Sequence, residues 1–384
     1  MQTEFKSEAR LTFTEAAGII IGHGVGAGIL SVPYLASRNT IRDFIWILLL
    51  AYGINLIMHL MIAELSYHNG GAQFITCLDR DLFHGKALPT WLALILIGVA
   101  EMVKVAGFIT GAAAVFTEWL GLPAWAGMLL YYCAAAGVVY GGMKLVGICE
   151  KYCVYAMAAV VGILVAATLR NGTGSLPTEF YAPGNVMALY SMTAFALSAV
   201  MSVPQVVKGL NGDVKRIRGA IAAGTGVNAI LIGVITLTTL WGTDCAVTEN
   251  GALVDLSGRL GGWVSVIGYI FTLLALSTSF WACTLNLRDV FGEKSGLDRR
   301  VCWLMASLPC LLLALTGVSG FVGLTRISSA GTVILGLAVI LAYGSARRRA
   351  GESPICGCMG SPVFMGIVIA STLTATVGSL ISVV

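Results

Sequence analysis

Apolar residues run along this chain in stretches of the ~20 residues that cross a bilayer as a helix, and these stretches recur from residue 13 almost to the last residue with only short polar links between them. The pattern predicts eleven spans, at 13–36, 43–66, 90–118, 123–142, 147–169, 186–207, 219–241, 260–286, 301–317, 322–344 and 361–383. An unpaired backbone group in hydrocarbon costs several kcal/mol, so each span is predicted to be a helix. The first stretch, Phe13 to Ala36, is too long and too rich in glycine for a cleavable leader and reads as the first span. The links leave no room for a second folded unit, so 1–384 is predicted to be one all-α polytopic membrane domain.

Composition agrees. Hydrophobic residues make up 57% of the chain and charged residues 11%, against roughly 45–50% and about 25% in soluble proteins. The net charge of +4 implies no nucleic-acid partner, because the basic residues sit in the links between spans. With the N-terminus inside, seventeen Lys and Arg fall on inner segments and five on outer ones. That asymmetry predicts a protein of the cell (inner) membrane with its N-terminus cytoplasmic and its C-terminus outside. Most of the ten cysteines fall in spans or inner loops, which argues against structural disulfides. Cys356-x-Cys358 lacks the second pair that a zinc site requires.

A weak internal repeat underlies this topology. Ser31-Val32-Pro33 recurs as Ser202-Val203-Pro204, Gly53-Ile54-Asn55 as Gly226-Val227-Asn228 and Trp91 as Trp263, at offsets of 171 to 173 residues. Five spans separate the copies, so segments 11–170 and 186–345 would have opposite orientation, the inverted repeat of many secondary transporters, with 361–383 as an extra span. Such carriers bind substrate where the first helix of each repeat is broken.

Gly22-His23-Gly24-Val25-Gly26-Ala27-Gly28 supplies such a break, since four glycines at alternate positions each cost a helix about 1 kcal/mol. A small-residue packing face is the plainer alternative, but packing motifs repeat every four residues. The N–H groups of Ala27 and Gly28 would open a half-helix suited to a carboxylate, and carbonyls of the same stretch could accept an ammonium. A zwitterion therefore fits, and the expected substrate is an amino acid, most simply a neutral one. In the sixth span Pro204 frees a carbonyl one turn earlier, which predicts a second break near Leu197 to Val200.

These stretches resemble the amino acid–polyamine–organocation superfamily, with the five-plus-five fold of the bacterial leucine transporter. Gly26-Ala27-Gly28-Ile29-Leu30-Ser31-Val32-Pro33-Tyr34 is similar to the opening motif of the amino acid/auxin permeases. Thr278-Ser279-Phe280 followed by Leu287-Arg288-Asp289 is similar to the eighth span of the hydroxy and aromatic amino acid permeases. The resemblance implies that Gly24, Phe195 and Ala196 offer carbonyls to the substrate ammonium, that Ser198 adds a hydroxyl, and that Gly26, Ala27 and Gly28 surround the carboxylate. It also implies one sodium, held by carbonyls of Gly22, Val25 and Ala275 and hydroxyls of Thr278 and Ser279. Neutral oxygens in number suit a hard monovalent cation. A second sodium site is not expected, because Ile29 and Ala196 stand where relatives carry polar ligands, although Asn228 remains as one candidate.

Ionisable residues inside spans are functional candidates. His23 could gate, carry a proton or cap freed carbonyls. Glu64 either bonds the unwound backbone of spans one and six, as the resemblance implies, or lies at the membrane interface. Glu101 and Lys104 are spaced for an intrahelical ion pair, while Lys104 near the substrate would select a polar side chain. His59 reads as a packing or bundle-facing residue. In some proton-coupled relatives a lysine in the middle of span five replaces the sodium; Met157 to Ala167 carries no charge here, so the resemblance implies sodium over a proton. No nucleophile–base pair or metal cluster supports an enzyme, no ring of charge supports a channel, and no obligate protein partner is evident. Sodium-coupled amino acid symport is the leading expectation, with proton coupling on the same fold as its rival.

Overall fold

The computed structural model describes residues 10–25, 27–171, 174–179, 182–248, 252–319, 324 and 332–381. The first predicted span appears as two helices, α1 (Phe13–Gly24) and α2 (Ala27–Ser37). The second is α3 (Ile41–His68), followed by the short amphipathic α4 (Phe74–Asp81). Spans three to five are α5 (Ala87–Leu120), α6 (Ala124–Tyr140) and α7 (Met143–Asn171). The sixth is divided into α8 (Pro183–Leu197), a 3-10 turn (Val200–Ser202) and α9 (Val203–Gly209). Next come α10 (Val214–Thr243), the short α11 (Ala252–Leu260), α12 (Trp263–Ser295), α13 (Arg299–Leu315), α14 (Thr332–Ala350) and α15 (Pro362–Leu380). The first part of the predicted tenth span lies outside the described residues. Among the described residues seven segments are long and apolar enough to cross a membrane, counting α8 and α9 as one.

Local chemistry sets the helix ends. Thr12 and Thr40 begin α1 and α3 with reciprocal capping boxes to Glu15 and Asp43, each satisfying two otherwise orphaned donors. Glu15 also takes Lys144 at 2.6 Å, which ties the start of α1 to α7. The faces turned away from the bundle carry large apolar side chains such as Trp46, Leu88 and Trp125, as a lipid-facing surface requires.

The broken helices form the centre. α1 packs on α7, α10 and α12, whereas α8 packs on α2, α3 and α15. The buried apolar side chains divide into two clusters stacked along the helix axes. One takes Ile19 and Ile20 of α1, Leu60 to Leu65 of α3, Val146 of α7 and Ile217 to Ile221 of α10. The other takes Ile21 and Val25, Ala51 and Ile54, Val154 and Met157, and Leu231 and Ile232 of the same region. Between them, at mid-depth, the same helices bury Asn55, His59, Glu150, Thr225 and Asn228.

One end of the bundle is tied by polar contacts around α4. Asp81 accepts from Asn69 at 2.6 Å and pairs with Arg349 at 2.9 Å, and Lys294 reaches Asp79 at 2.6 Å. Partial burial works to raise the Asp79 carboxyl, but hydrogen bonds from Lys294 and Thr90 outweigh it and hold the group below its ordinary range.

The crossing of the two broken helices depends on Gly28. A Cβ there would stand 2.7 Å from Ala196 Cβ and 2.9 Å from Ala196 Cα, so backbone would have to move. Gly53, inside α3, has nothing within 4 Å. Gly28→Ala is expected to lower stability by about 1–3 kcal/mol through overpacking, while Gly53→Ala should be neutral or gain up to about 1 kcal/mol from helix propensity. Thermal unfolding of both purified variants in detergent checks the contrast.

Candidate substrate and cation site at mid-depth

The first break is narrower than the seven-residue glycine run predicted. Gly22, His23 and Gly24 remain in α1, which ends with Val25 N–H donating to the Ile21 carbonyl, and α2 begins at Ala27. Each glycine of α1 costs only its own propensity, whereas the chain leaves the helix only where Val25 turns to ψ 54°. Gly26 lies outside the described residues. The first N–H groups of α2, from Ala27 and Gly28 on, have no intrahelical partner. The second break falls at Ser198 and Ala199, between α8 and the 3-10 turn, within the predicted Leu197–Val200.

The two breaks meet. The Cβ position of Gly24 is 3.2 Å from the Ala196 carbonyl oxygen and overlaps the Asn228 amide, so only glycine fits there. The freed backbone of the sixth span is tied by side chains from three neighbouring helices. Asn55 donates to the Ala194 carbonyl at 3.3 Å, Asn228 to the Ala196 carbonyl at 3.3 Å and Asn286 to the Met201 carbonyl at 2.7 Å. The Ala199 N–H donates to His59 Nε2 at 2.9 Å, and the other ring nitrogen of His59 bonds Thr225 Oγ1 at 3.2 Å. His23 Nδ1 meets Ser202 Oγ at 2.7 Å.

His59 is therefore the residue that meets the unwound backbone, and Glu64 is not. Glu64 is fully buried, but its carboxylate accepts from the N–H groups of Ile355 at 3.0 Å and Cys356 at 2.6 Å and bonds His68 at 3.0 Å. It anchors the link between α14 and α15, because it lies a turn and a half beyond His59 and that offset carries it past the break. The spacing of a histidine and a carboxylate on one helix does not show which of them reaches the break.

Of the residues expected at the substrate, Gly24, Gly28 and Ala196 come together. The Phe195 carbonyl accepts from Ser198 N–H at 3.1 Å, and the side chains of Phe195 and Ser198 open on a cavity of about 90 Å³ with described walls from α3, α8, α14 and α15. Lys104 Nζ donates to Glu101 Oε1 at 2.7 Å, the intrahelical pair that their spacing predicts. The second carboxylate oxygen of Glu101 is buried without a partner.

Four of the five expected cation ligands, Gly22, Ala275, Thr278 and Ser279, lie together. Ser279 Oγ donates to the Gly22 carbonyl at 3.3 Å and joins α12 to α1, and Thr278 Oγ1 donates to the Ala275 carbonyl at 3.0 Å. Val25, Ala275, Thr278 and Ser279 are at most 1% exposed. Into the same space projects Glu150 of α7, to which the sequence analysis assigned no role. Its signal was present: a carboxylate four residues inside a predicted span. The uncharged stretch Met157 to Ala167 is the middle of α7, but α7 crosses α1 earlier, at Gly18 and Gly22, and Glu150 is the side chain at that crossing.

The chain matches the tryptophan/tyrosine permease family over residues 10–377. A tyrosine permease of Enterobacter agglomerans is 24% identical over 308 aligned residues, with 72% of each chain covered. Among solved structures, the fold is similar to that of MHP1, a nucleobase-cation-symport-1 family transporter in a closed conformation with bromovinylhydantoin bound. The TM-score is 0.70 and the identity 12%, and 98% of this chain and 92% of that one are covered. MhsT in complex with L-phenylalanine gives a TM-score of 0.66 at 15% identity, with 98% of each chain covered. At these identities the likeness is one of fold, the leucine-transporter type, and none of these proteins is an enzyme by its description.

His59→Ala should leave the Ala199 N–H buried without an acceptor, at a cost of about 1–3 kcal/mol. His59→Gln keeps an acceptor and should recover part of it. Comparing the melting temperatures of the two variants isolates the hydrogen bond from the loss of side-chain volume.

Proposed function

This chain belongs to the tryptophan/tyrosine permease family and is a membrane-embedded secondary transporter, and we propose that it carries an aromatic amino acid by symport with sodium. The observation that supports a mid-depth carrier site most directly is the meeting of the two helix breaks at Gly24 and Ala196. The unpaired N–H groups at the start of α2 suit a substrate carboxylate, and the carbonyls of Gly24, Phe195 and Ala196, with the Ser198 hydroxyl, suit its ammonium. The aromatic side chain is inferred from the family and from the tyrosine permease relative. Segments 11–170 and 186–345 would act as the inverted repeats that move against each other, with 361–383 as an accessory span, in the cell (inner) membrane with the N-terminus cytoplasmic.

Sodium would take the carbonyls of Gly22, Val25 and Ala275 and the hydroxyls of Thr278 and Ser279. In the structure those hydroxyls bond two of these carbonyls, so an arriving cation would replace internal hydrogen bonds among neutral oxygens. It would thereby join α1 to α12 and order the neighbouring start of α2. Sodium should then raise substrate affinity, and substrate should raise sodium affinity by the same factor. Proton coupling is the second reading, favoured by the carboxylate of Glu150 beside the same oxygens.

Purified protein in liposomes loaded with tyrosine, tryptophan or phenylalanine should take up the labelled amino acid by counterflow. Absence of exchange with all three would refute the substrate class. Net uptake should need sodium, and Thr278→Ala with Ser279→Val should abolish its stimulation by sodium. Uptake that runs equally well in choline under an imposed pH gradient would instead establish the proton reading.

Lys104→Met should shift the order of preference among amino acids if the ammonium reaches the substrate. An unchanged order in competition assays, with a lower melting temperature, would assign Lys104 to neutralising Glu101 alone.

A further inference from the structure

From the crossing of α1, α7 and α12 we infer that Glu150 is the charged ligand of the coupling cation. The inference rests on the transport reading above but not on which cation is carried.

Glu150 is fully buried, and among the described residues neither of its carboxylate oxygens has a hydrogen-bond partner. Each of the other buried glutamates among the described residues has a partner on at least one oxygen: Glu15 has Lys144 and Thr12, Glu64 two backbone N–H groups and His68, and Glu101 has Lys104. An isolated ionised carboxylate in such a place is too costly to persist. The group must therefore hold either a proton or a metal cation whenever the site is closed.

Its position says which role this serves. The place a Gly22 Cβ would occupy is already filled by Glu150 Oε2, and Thr278 Cβ lies 2.9 Å from the same point. Gly18, one turn earlier, meets the backbone of Glu150 and Lys151, the nitrogen of Lys151 being 3.1 Å from its Cβ position. The two glycines let α1 approach α7 closely enough for the carboxylate to enter between α1 and α12. There its Oε2 lies against Gly22 with the Thr278 side chain next to the same point, and the Gly22 carbonyl accepts from the Ser279 hydroxyl.

Around it α1 presents glycines and α12 presents hydroxyls. The titratable groups that face it are the thiols of Cys149 and Cys153 on its own helix. One carboxylate among neutral oxygens balances a single positive charge, which selects a monovalent cation or a proton over calcium, whose sites use several charged ligands. In the sodium case the carboxyl O–H bond breaks as sodium enters, its proton leaves to water, and the bond re-forms with a proton from water when sodium leaves. In the proton case the O–H bond forms with a proton taken from water on one side of the membrane and breaks as that proton is released to water on the other.

The test is infrared difference spectroscopy on the reconstituted full-length protein, with sodium chloride against choline chloride and with a pH step as the two arms. In the wild type a protonated-carboxyl C=O band should be lost on adding sodium if sodium is the cation. It should respond to the pH step alone if the proton is. Either change should be missing in Glu150→Gln and return, displaced, in Glu150→Asp. In parallel, gradient-driven accumulation of the labelled aromatic amino acid should fall about 5- to 150-fold in Glu150→Gln, the range of ordinary coupling free energies.

A wild type with no carboxyl band that responds to either cation overturns the inference. So does a Glu150→Gln protein that keeps the wild-type band change or the wild-type accumulation. Failure of the wild type to exchange any aromatic amino acid would instead strike the transport reading, and the spectra would still decide Glu150.

Discussion

Inside a bilayer no water is available for a backbone group that leaves a helix, and the arrangement of this molecule follows from how that requirement is met at Ser198 and Ala199. Interrupting the sixth span frees carbonyls and an N–H within a region walled by hydrocarbon. Asn55, Asn228 and Asn286 return a donor to the Ala194, Ala196 and Met201 carbonyls and His59 an acceptor to the Ala199 N–H, and they come from α3, α10 and α12. These helices are thereby fixed in register against the break as well as by packing. Each contact is modest in water, but the alternative to it is a buried orphan, and that asymmetry makes the set strict.

The same requirement explains why the apolar interior is divided. Polar side chains that serve the breaks cannot be packed inside a continuous hydrocarbon core, so they gather in a layer with one apolar cluster on each side. A carrier that must open alternately to two faces benefits from this division. Each cluster can hold one end of the bundle closed while the layer between them binds substrate. Glycines at 22, 24 and 28 remove side chains where α1 and α2 meet Glu150, Asn228 and Ala196. That puts backbone oxygen and nitrogen in direct contact with the neighbouring helices, as a site for a zwitterion and a small cation requires.

Among the described residues the four buried glutamates are handled in four ways, and the differences carry meaning. Glu15 caps a helix and meets a lysine at its exposed end. Glu64 is absorbed by backbone N–H groups and holds a link in place. Glu101 is matched by Lys104 one turn away. Among the described residues Glu150 has no hydrogen-bond partner, and its carboxylate lies against Gly22 and the Thr278 side chain of the candidate cation site. Charge compensation from within the protein marks a structural carboxylate, and its absence marks a place where compensation comes from outside.

By itself the sequence determined the all-helical, membrane-spanning character of the chain, the positions of both interruptions to within a few residues and the Glu101–Lys104 pair. All of these are local. Span length is set by bilayer thickness, helix interruption by glycine and proline within one or two turns, and ion pairing by the spacing of the α-helix. The hydroxyls of Thr278 and Ser279 were legible for the same reason, as neighbours on one helix. Only the tertiary structure decided that His59 and not Glu64 serves the second break, that Glu150 enters the space between α1 and α12, and that the first break spans so few residues. Each of those depends on the height at which two helices cross. That height is set by close packing and glycine contacts between segments more than a hundred residues apart, and no pattern along a single helix encodes it.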